Sequence, residues 1–484
     1  MDVAAQRMTG PAGDDLAALF QLQRAAVAAE GSAPDVRTRR ERLRRAIDML
    51  VSSQQQLCAA LSADFGRRPA EISRFLDILP AVHSLKWARR RVGQWMRPRR
   101  TGLGLPLPVP GAAAQVMYQP LGVVGVISPW NFPVTLSFGP LAGIFAAGNR
   151  CLLKPSEVTP ATSALMKELV ARHFDPSELS VVTGGPEVAE AFSRLPFDHL
   201  LFTGSETVGR RVMLAAAEHL VPVTLELGGK CPVVVGRSAK LTAVVDRVLL
   251  ANMANAGQIC LAPDYVCLPR ESVEEFVRQA RLWAARAYPD LTANSNCTSI
   301  VNARHAERVA EMISDAKAKG ARVIALTEWP QPSLSATRVI PPVLITEVTE
   351  DMRVMREEIF SPLLPILAYD RIDEVIAYVN RHAKPLALYY FGNDRSEQRE
   401  VIGRTTSGGV TVNDVGMHFF AEQLPFGGVG PSGLGAYHGE HGFRRFSHAR
   451  PVLRMPPWDF AGVLGLRPPY GGRLRFWLDV LIRK

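Results

Sequence analysis

An alternation constrains this chain more than any other feature. GVVGVI (Gly122–Ile127), RCLLK (Arg150–Lys154), LSVVTG (Leu179–Gly184) and HLLFTG (His199–Gly204) read as short strands bounded by turn residues. TLSFGPLAGIFAAG (Thr135–Gly148) and TPATSALMKELVARHF (Thr159–Phe174) read as helices between them. Strands alternating with helices of this length build a parallel sheet covered on both faces. A second block opens near VTLELGGKCPVVV (Val223–Val235). It runs through LTAVVDRVLLANMANA (Leu241–Ala256) to the glycine-rich LPFGGVGPSGLGAYHG (Leu424–Gly439). At 484 residues the chain exceeds one small core, and two α/β lobes are expected to meet where the unusual short motifs cluster.

Ahead of the first strand, Leu16–Met96 reads as consecutive amphipathic helices broken near Gly31–Pro34 and Gly66–Pro69. No window holds the ~18 uninterrupted apolar residues of a membrane span. MDVAAQRMTGPAGDD lacks the charged head and apolar run of a secretory signal. Six cysteines without a C-x-x-C pair indicate neither a disulfide framework nor a zinc site, so no metal and a reducing cytoplasm are expected. The net charge of +10 raises the question of nucleic acid, since much of it lies in RTRRERLRR (Arg37–Arg45) and RPRR (Arg97–Arg100). With Leu43, Ile47 and Leu50 turned inward, the first run should present its arginines as a solvated face. Neither run carries a recognition motif or an aromatic platform, so no nucleic-acid partner is expected.

NAGQICLAPDYVCLP (Asn255–Pro269) holds two cysteines seven positions apart. Gly-Gln before Cys260 and Pro-Asp after it mark a loop, whereas Cys267 lies in the apolar run Tyr265–Leu268 and should be buried in a strand. FTGSETVGRRV (Phe202–Val212) puts Gly204 at a strand end and Gly209 in the next helix. The full G-x-G-x-x-G is absent, and a plain strand-to-helix turn explains the segment equally well. Its position is the informative part, because a helix N-terminus at the carboxyl end of a parallel strand is where a pyrophosphate sits. LLKPSE (Leu152–Glu157) brings Lys154 and Glu157 to the same rim, where a cation and a carboxylate suit the ribose hydroxyls of an adenosine. A surface lysine is the plainer reading of Lys154 taken alone.

Four segments occur together: SPWNFP (Ser128–Pro133), KPSE (Lys154–Glu157), LELGGK (Leu225–Lys230) and NAGQIC (Asn255–Cys260). EEIF (Glu357–Phe360) and PFGGVGPSGLG (Pro425–Gly435) follow in order. Together they resemble the aldehyde dehydrogenase superfamily over about residues 20–450, and within it the class 3-like branch, most nearly its coniferyl-aldehyde members. The resemblance implies an α/β fold: a Rossmann-type parallel-sheet cofactor domain, an α/β catalytic domain and a small oligomerisation element. The divisions implied are 16–105 with 122–225 for NAD(P) binding, 226–411 for catalysis, 106–121 with 412–450 for oligomerisation, and a 451–484 tail. It also implies NAD(P)-dependent oxidation of an aldehyde to its acid.

Cys260 then stands at the nucleophile's position, with Asn131 as oxyanion donor and Glu226 as general base. A thiolate adds to a carbonyl to give a thiohemiacetal, hydride loss leaves a thioester, and a carboxylate activates the water that hydrolyses it. Trp130, Lys154, Glu157, Gly204, Ser205, Gly209, Leu227, Gly228, Glu358 and Phe360 match cofactor-holding positions. Glu157 would repel a 2′-phosphate, which favours NAD while leaving NADP admissible. The sequence departs from many relatives at Ser361, where they carry glycine, and at Glu206, a charge near the helix start. Trp130, Phe132, Phe138 and Phe419 are candidates for a tunnel that takes an aromatic aldehyde such as coniferaldehyde or a medium- to long-chain aliphatic one, with some of the four expected in the ordinary core.

In the tail, Leu474, Trp477, Leu478 and Leu481 share one helical face and Arg475, Asp479 and Arg483 another. Docking on its own or a partner subunit is the main expectation for this helix, with weak peripheral membrane contact as the other, and a homodimer is implied. Two rival readings are weaker. A cysteine hydrolase or acyltransferase would need a histidine base, and none of the ten histidines sits in such a motif. A binding or structural protein would show degenerate catalytic positions, whereas Asn131, Glu226 and Cys260 are all present.

Overall fold

The computed structural model describes residues 16–104, 109–291, 296–329 and 337–483. The N-terminal stretch read for a secretory signal lies outside the described residues, as do residue 105 of the expected cofactor domain, 106–108 of the expected oligomerisation element and Lys484 of the tail. Helices Leu16–Ala29, Val36–Ser52, Gln54–Phe65 and Leu79–Trp95 leave the expected gaps at Gly31–Pro34 and Gly66–Pro69. Asp35 starts the second of these by accepting from the Thr38 N–H at 2.8 Å.

That helix corrects one expectation. Leu43, Ile47 and Leu50 are buried, but Arg39 and Arg42 are only 2% exposed. Arg39 stands four residues before Leu43 and Arg42 four before Ala46, so both fall on the inward stripe. Each finds acceptors there. Arg39 donates to the Ala146 carbonyl at 2.7 Å, and Arg42 pairs with Glu178 at 3.0 Å. The Thr135–Gly148 segment is likewise two helices, Pro133–Phe138 and Leu141–Ala147, because Pro140 has no N–H to continue the first.

Among the described residues sixteen strands follow in chain order: β1 Arg99–Thr101, β2 Ala113–Pro120, β3 Val123–Ile127, β4 Arg150–Lys154, β5 Leu179–Val181, β6 His199–Thr203, β7 Val223–Glu226 and β8 Cys231–Val235. They continue as β9 Pro263–Pro269, β10 Arg322–Ala325, β11 Val343–Thr346, β12 Leu363–Tyr369, β13 Ala387–Phe391, β14 Gly409–Val412, β15 Gly433–Leu434 and β16 Ser447–Arg454. Three sheets result. The first has the order β15-β7-β6-β3-β4-β5, parallel except for β15. The second runs β10-β11-β12-β9-β8-β13-β14, parallel except for β10. The third is antiparallel, β1-β2-β16. The four residues Leu227–Lys230 carry the chain from the end of β7 in the first sheet to β8 in the second.

Candidate active site

Strand order locates the site before any side chain is considered. In the first sheet the chain winds outward from β3 through β4 to β5, then returns to the other side of β3 with β6 and β7. The crevice at that reversal, beyond the carboxyl ends of β3 and β6, is where such sheets bind ligands. Pro129, Trp130 and Asn131 follow β3 and line a cleft of about 250 Å³ with Thr203, Gly204 and Ser205 from the end of β6. The opposite wall comes from the amino ends of neighbouring strands in the second sheet. Gly228 precedes β8, Cys260 precedes β9, and Glu358 and Phe360 precede β12, and all four line the same cleft.

Cys260 sits after a sharply turned segment in which Asn255, Ala256 and Gly257 have φ of 48°, 54° and 68°. Alanine rarely adopts this conformation and three such residues in a row are rarer still, so the surroundings must hold it. Gln258 does much of that work. Its amide donates to the Asn255 carbonyl at 2.8 Å and the Ser299 carbonyl at 3.2 Å, and accepts from the Val301 N–H at 2.9 Å. The Gln258 carbonyl receives the Asn131 side-chain amide at 3.1 Å. An amide carries two N–H groups, so one remains to Asn131. Burial, reinforced by the neighbouring Glu358 and Glu226 carboxyls, pushes the Cys260 thiol up to about 12.

Glu226 ends β7, 3% exposed, with both carboxylate oxygens lacking a hydrogen-bond partner among the described residues. Burial raises its carboxyl well above the usual range, partly offset by Arg445. It faces the cleft and also a second cavity of about 240 Å³ on the other side of Cys260. Ile72, Phe75, Phe132, Leu136, Phe419 and Phe426 give that cavity apolar walls. Phe132 and Phe419, two of the tunnel candidates, thus line this cavity. Trp130 belongs to the first cleft, 5.5 Å from Phe360 between ring centres, and Phe138 is fully buried in the core. Phe138 is core and not tunnel: Phe132, just before the helix Pro133–Phe138, and Leu136 on it face the cavity, while Phe138 packs inward.

Of the remaining expected cofactor positions, Ser205, Leu227, Gly228 and Glu358 line the cleft, whereas Lys154, Glu157 and Gly209 are not among its lining residues. Lys154 is 1% exposed and its Nζ lies 3.0 Å from Glu157, whose carboxylate reaches solvent. Ser205 caps the helix Glu206–Ala217, and Gly209 lets that helix close on Leu227, where a Cβ would come within 2.7 Å of Leu227 Cδ2. Glu206 pairs with Arg210 at 2.6 Å along the exposed helix face. A Cβ at Gly228 would overlap the Glu358 carboxylate, and Glu358 accepts from the Gly229 N–H at 3.2 Å.

A scan of known families matches residues 13–452 to the Aldehyde dehydrogenase family. The chain belongs to that family. It is an aldehyde dehydrogenase, an enzyme that oxidises aldehydes. The coniferyl aldehyde dehydrogenase of a Pseudomonas species is 53% identical over 445 residues, 92% of each chain. A probable coniferyl aldehyde dehydrogenase of Caulobacter vibrioides is 50% identical over 472 residues, 96% of each. Among solved structures, the substrate-bound state of Staphylococcus aureus AldH superposes with a TM-score of 0.90 at 32% identity, covering 97% of this chain and 100% of its own.

Sequence reading missed several buried groups around this aldehyde dehydrogenase site. Arg68 and Asp77 form an ion pair at 3.3 Å with no side-chain exposure. Arg68 donates to the Asn131 carbonyl at 3.2 Å, and Asp77 accepts the Thr135 N–H at 2.7 Å. Asp264, His305, Arg308 and Tyr437 were also passed over. Asp264 carried a signal of its own, an acidic residue inside the apolar run APDYVCL.

Proposed function

We propose that this enzyme oxidises an aldehyde with an apolar, aromatic body to its carboxylic acid, with NAD as hydride acceptor. The observation that carries the reading is the single surface shared by Cys260, Glu226 and Asn131, with an apolar cavity on one side and a cleft at the topological switch point on the other. The cleft fits a dinucleotide. Gly204 and Ser205 open a helix at its edge, Trp130 and Phe360 give it flat walls, and the half-exposed Glu157 can accept ribose hydroxyls. A carboxylate there disfavours a 2′-phosphate, so NAD is preferred and NADP tolerated. Lys154, Gly209, Leu227, Gly228 and Glu358 complete the proposed cofactor set. The chemistry supplied by the bound dinucleotide is hydride acceptance.

The residues of this chain do the rest. The Cys260 sulfur, once deprotonated, adds to the carbonyl carbon of an aldehyde entering from the apolar cavity. The new oxyanion meets the spare Asn131 N–H and the Cys260 backbone N–H, and loss of one such donor typically costs about 10²–10³ in rate. Hydride departure leaves a thioester on Cys260. Glu226, with neither oxygen committed to a partner, is free to take a proton from the hydrolytic water. Burial, which raises its carboxyl well above the usual range, makes the ionised form a stronger base.

The coniferyl-aldehyde relatives and the ring-lined cavity support aromatic over short polar substrates. The fold also supports a three-part division: the first sheet for cofactor, the second for catalysis and the third for self-association. We take the protein to be a cytoplasmic homodimer. No helix among the described residues is long and apolar enough to cross a membrane. The test is NADH production from a panel of aromatic and aliphatic aldehydes, comparing wild type with Cys260→Ala. Turnover that vanishes in the variant, with aromatic aldehydes giving the highest kcat/KM, is expected. Activity surviving in Cys260→Ala would reject the nucleophile.

A further inference from the structure

We propose that Asp264, acting with Lys230 and Arg308, is a positioning group that holds the Glu357–Ser361 loop in the shape hydride transfer requires. This deepens the reading above, since it takes the nicotinamide end of the cofactor to lie between Trp130 and Phe360.

The loop needs holding. It has no helix or strand of its own, and Phe360 sits at φ 54°. A bulky side chain in that conformation costs on the order of 1–3 kcal/mol and persists only where neighbours over-determine it. Three residues from three elements meet the loop's backbone here. From helix Ala303–Ala318, Arg308 donates through Nη1 to the Glu358 carbonyl at 3.0 Å and through Nη2 to the Ile359 carbonyl at 2.5 Å. From β9, Asp264 accepts the Ile359 N–H at 2.9 Å. From the crossover before β8, Lys230 donates to the Glu357 carbonyl at 3.0 Å, to the Val354 carbonyl at 2.8 Å and to Asp264 itself at 3.1 Å.

Three consecutive carbonyls and the N–H of Ile359 are thus gripped by side chains. Asp264 is the centre of the grip, because the same Oδ1 takes both the Ile359 N–H and the Lys230 ammonium. It is 4% exposed and never reaches the cleft surface itself. Its influence passes through Glu358, whose carboxylate faces the cleft, and through Phe360, whose ring stands across from Trp130. The next residue, Ser361, touches the nucleophile segment: a Cβ at Gly257 would lie 2.5 Å from its backbone. Cofactor loop and nucleophile loop therefore share one backbone contact.

The test separates positioning from general support. An activated ester such as p-nitrophenyl acetate needs Cys260 to attack and Glu226 to hydrolyse, but no dinucleotide. In Asp264→Ala, dehydrogenase kcat/KM is expected to fall about 10- to 100-fold with the KM for NAD raised, the scale of a misplacement of about 1 Å. Cofactor-free ester hydrolysis should stay near wild type. Asp264→Asn keeps an oxygen for the Ile359 N–H and should recover part of the lost dehydrogenase activity. Parallel loss of both activities in the folded Asn variant would make Asp264 a support of the nucleophile loop and overturn the proposal, as would unchanged NAD kinetics in both variants. Failure of the functional reading looks different: wild type would then show no NAD-dependent turnover, or Cys260→Ala would retain ester hydrolysis.

Discussion

Cys260 shows what a motif conveys and what it leaves out. Loop residues on either side set it apart from Cys267, which is buried within β9, but only the resemblance assigned it the nucleophile's position. Three consecutive left-handed residues were not legible, because nothing local in Asn-Ala demands them. Gln258 and the contact with Ser361 impose them from outside. The resting state of the thiol was equally hidden. A group pushed up to about 12 is neutral throughout the working range, and its thiolate fraction grows about tenfold per pH unit below that value. Alkylation of cofactor-free enzyme by iodoacetamide should therefore rise steadily from pH 7 to pH 9, measured as loss of activity with time. A plateau at neutral pH would mean that the thiol ionises without help. Glu226 permits a second expectation at this scale. Glu226→Gln should preserve one rapid turnover of NADH and then slow to a steady rate reduced by about 10²–10⁴, the usual contribution of a general base. Stopped-flow absorbance would show it, and a variant that lost the rapid phase as well would place Glu226 in thiol activation.

At the scale of elements, the alternating pattern conveyed the two parallel sheets because parallel strands buried on both faces are written as short apolar runs. The buried Arg39 and Arg42 escaped it, since residue type outweighed helical spacing in the reading of that helix. Asp264 escaped for a similar reason: its partners Lys230 and Ile359 lie 34 and 95 residues away, and only the folded sheet brings them together. The crossover between sheets allows a sharp prediction. Gly228 has no room for a Cβ beside Glu358, so Gly228→Ala should displace that carboxylate and raise the KM for NAD about tenfold, leaving ester hydrolysis intact. Glu358 also sets a pH dependence. Burial first, and the neighbouring Asp264 second, lift its carboxyl to about 8. It is neutral below that value and a stronger acceptor for ribose hydroxyls above it, so the KM for NAD should decrease as pH rises from 7 to 9. Glu358→Gln cannot ionise and should flatten that profile. A profile unchanged by the substitution would assign the titration elsewhere.

For the whole molecule, the parts that were least legible in the sequence are those the single chain leaves uncovered. The third sheet is small, and β16 pairs along β2 on one side while its other edge carries no partner strand among the described residues. An open edge is a template for pairing, which supports dimerisation through it. The tail beyond it is helical at Phe460–Leu464 and Gly472–Ile482, yet no described residue after Arg454 is buried. Docking onto its own subunit, one half of the main expectation for this helix, is therefore not what the single chain displays. Phe476 is 59% exposed, and Leu478 and Leu481 also face outward. Burying one such side chain is worth about 1.5–3 kcal/mol, and about 1.4 kcal/mol is a tenfold change in affinity. If the partner subunit covers the tail, deleting residues 455–484 should raise the dimer dissociation constant at least about tenfold. Thermal stability of each subunit and kcat/KM should barely change, because no buried residue is removed. Analytical ultracentrifugation of the two chains decides it. An unchanged dimer that no longer sediments with anionic lipid vesicles, where the full-length chain does, would assign the tail to the membrane surface instead.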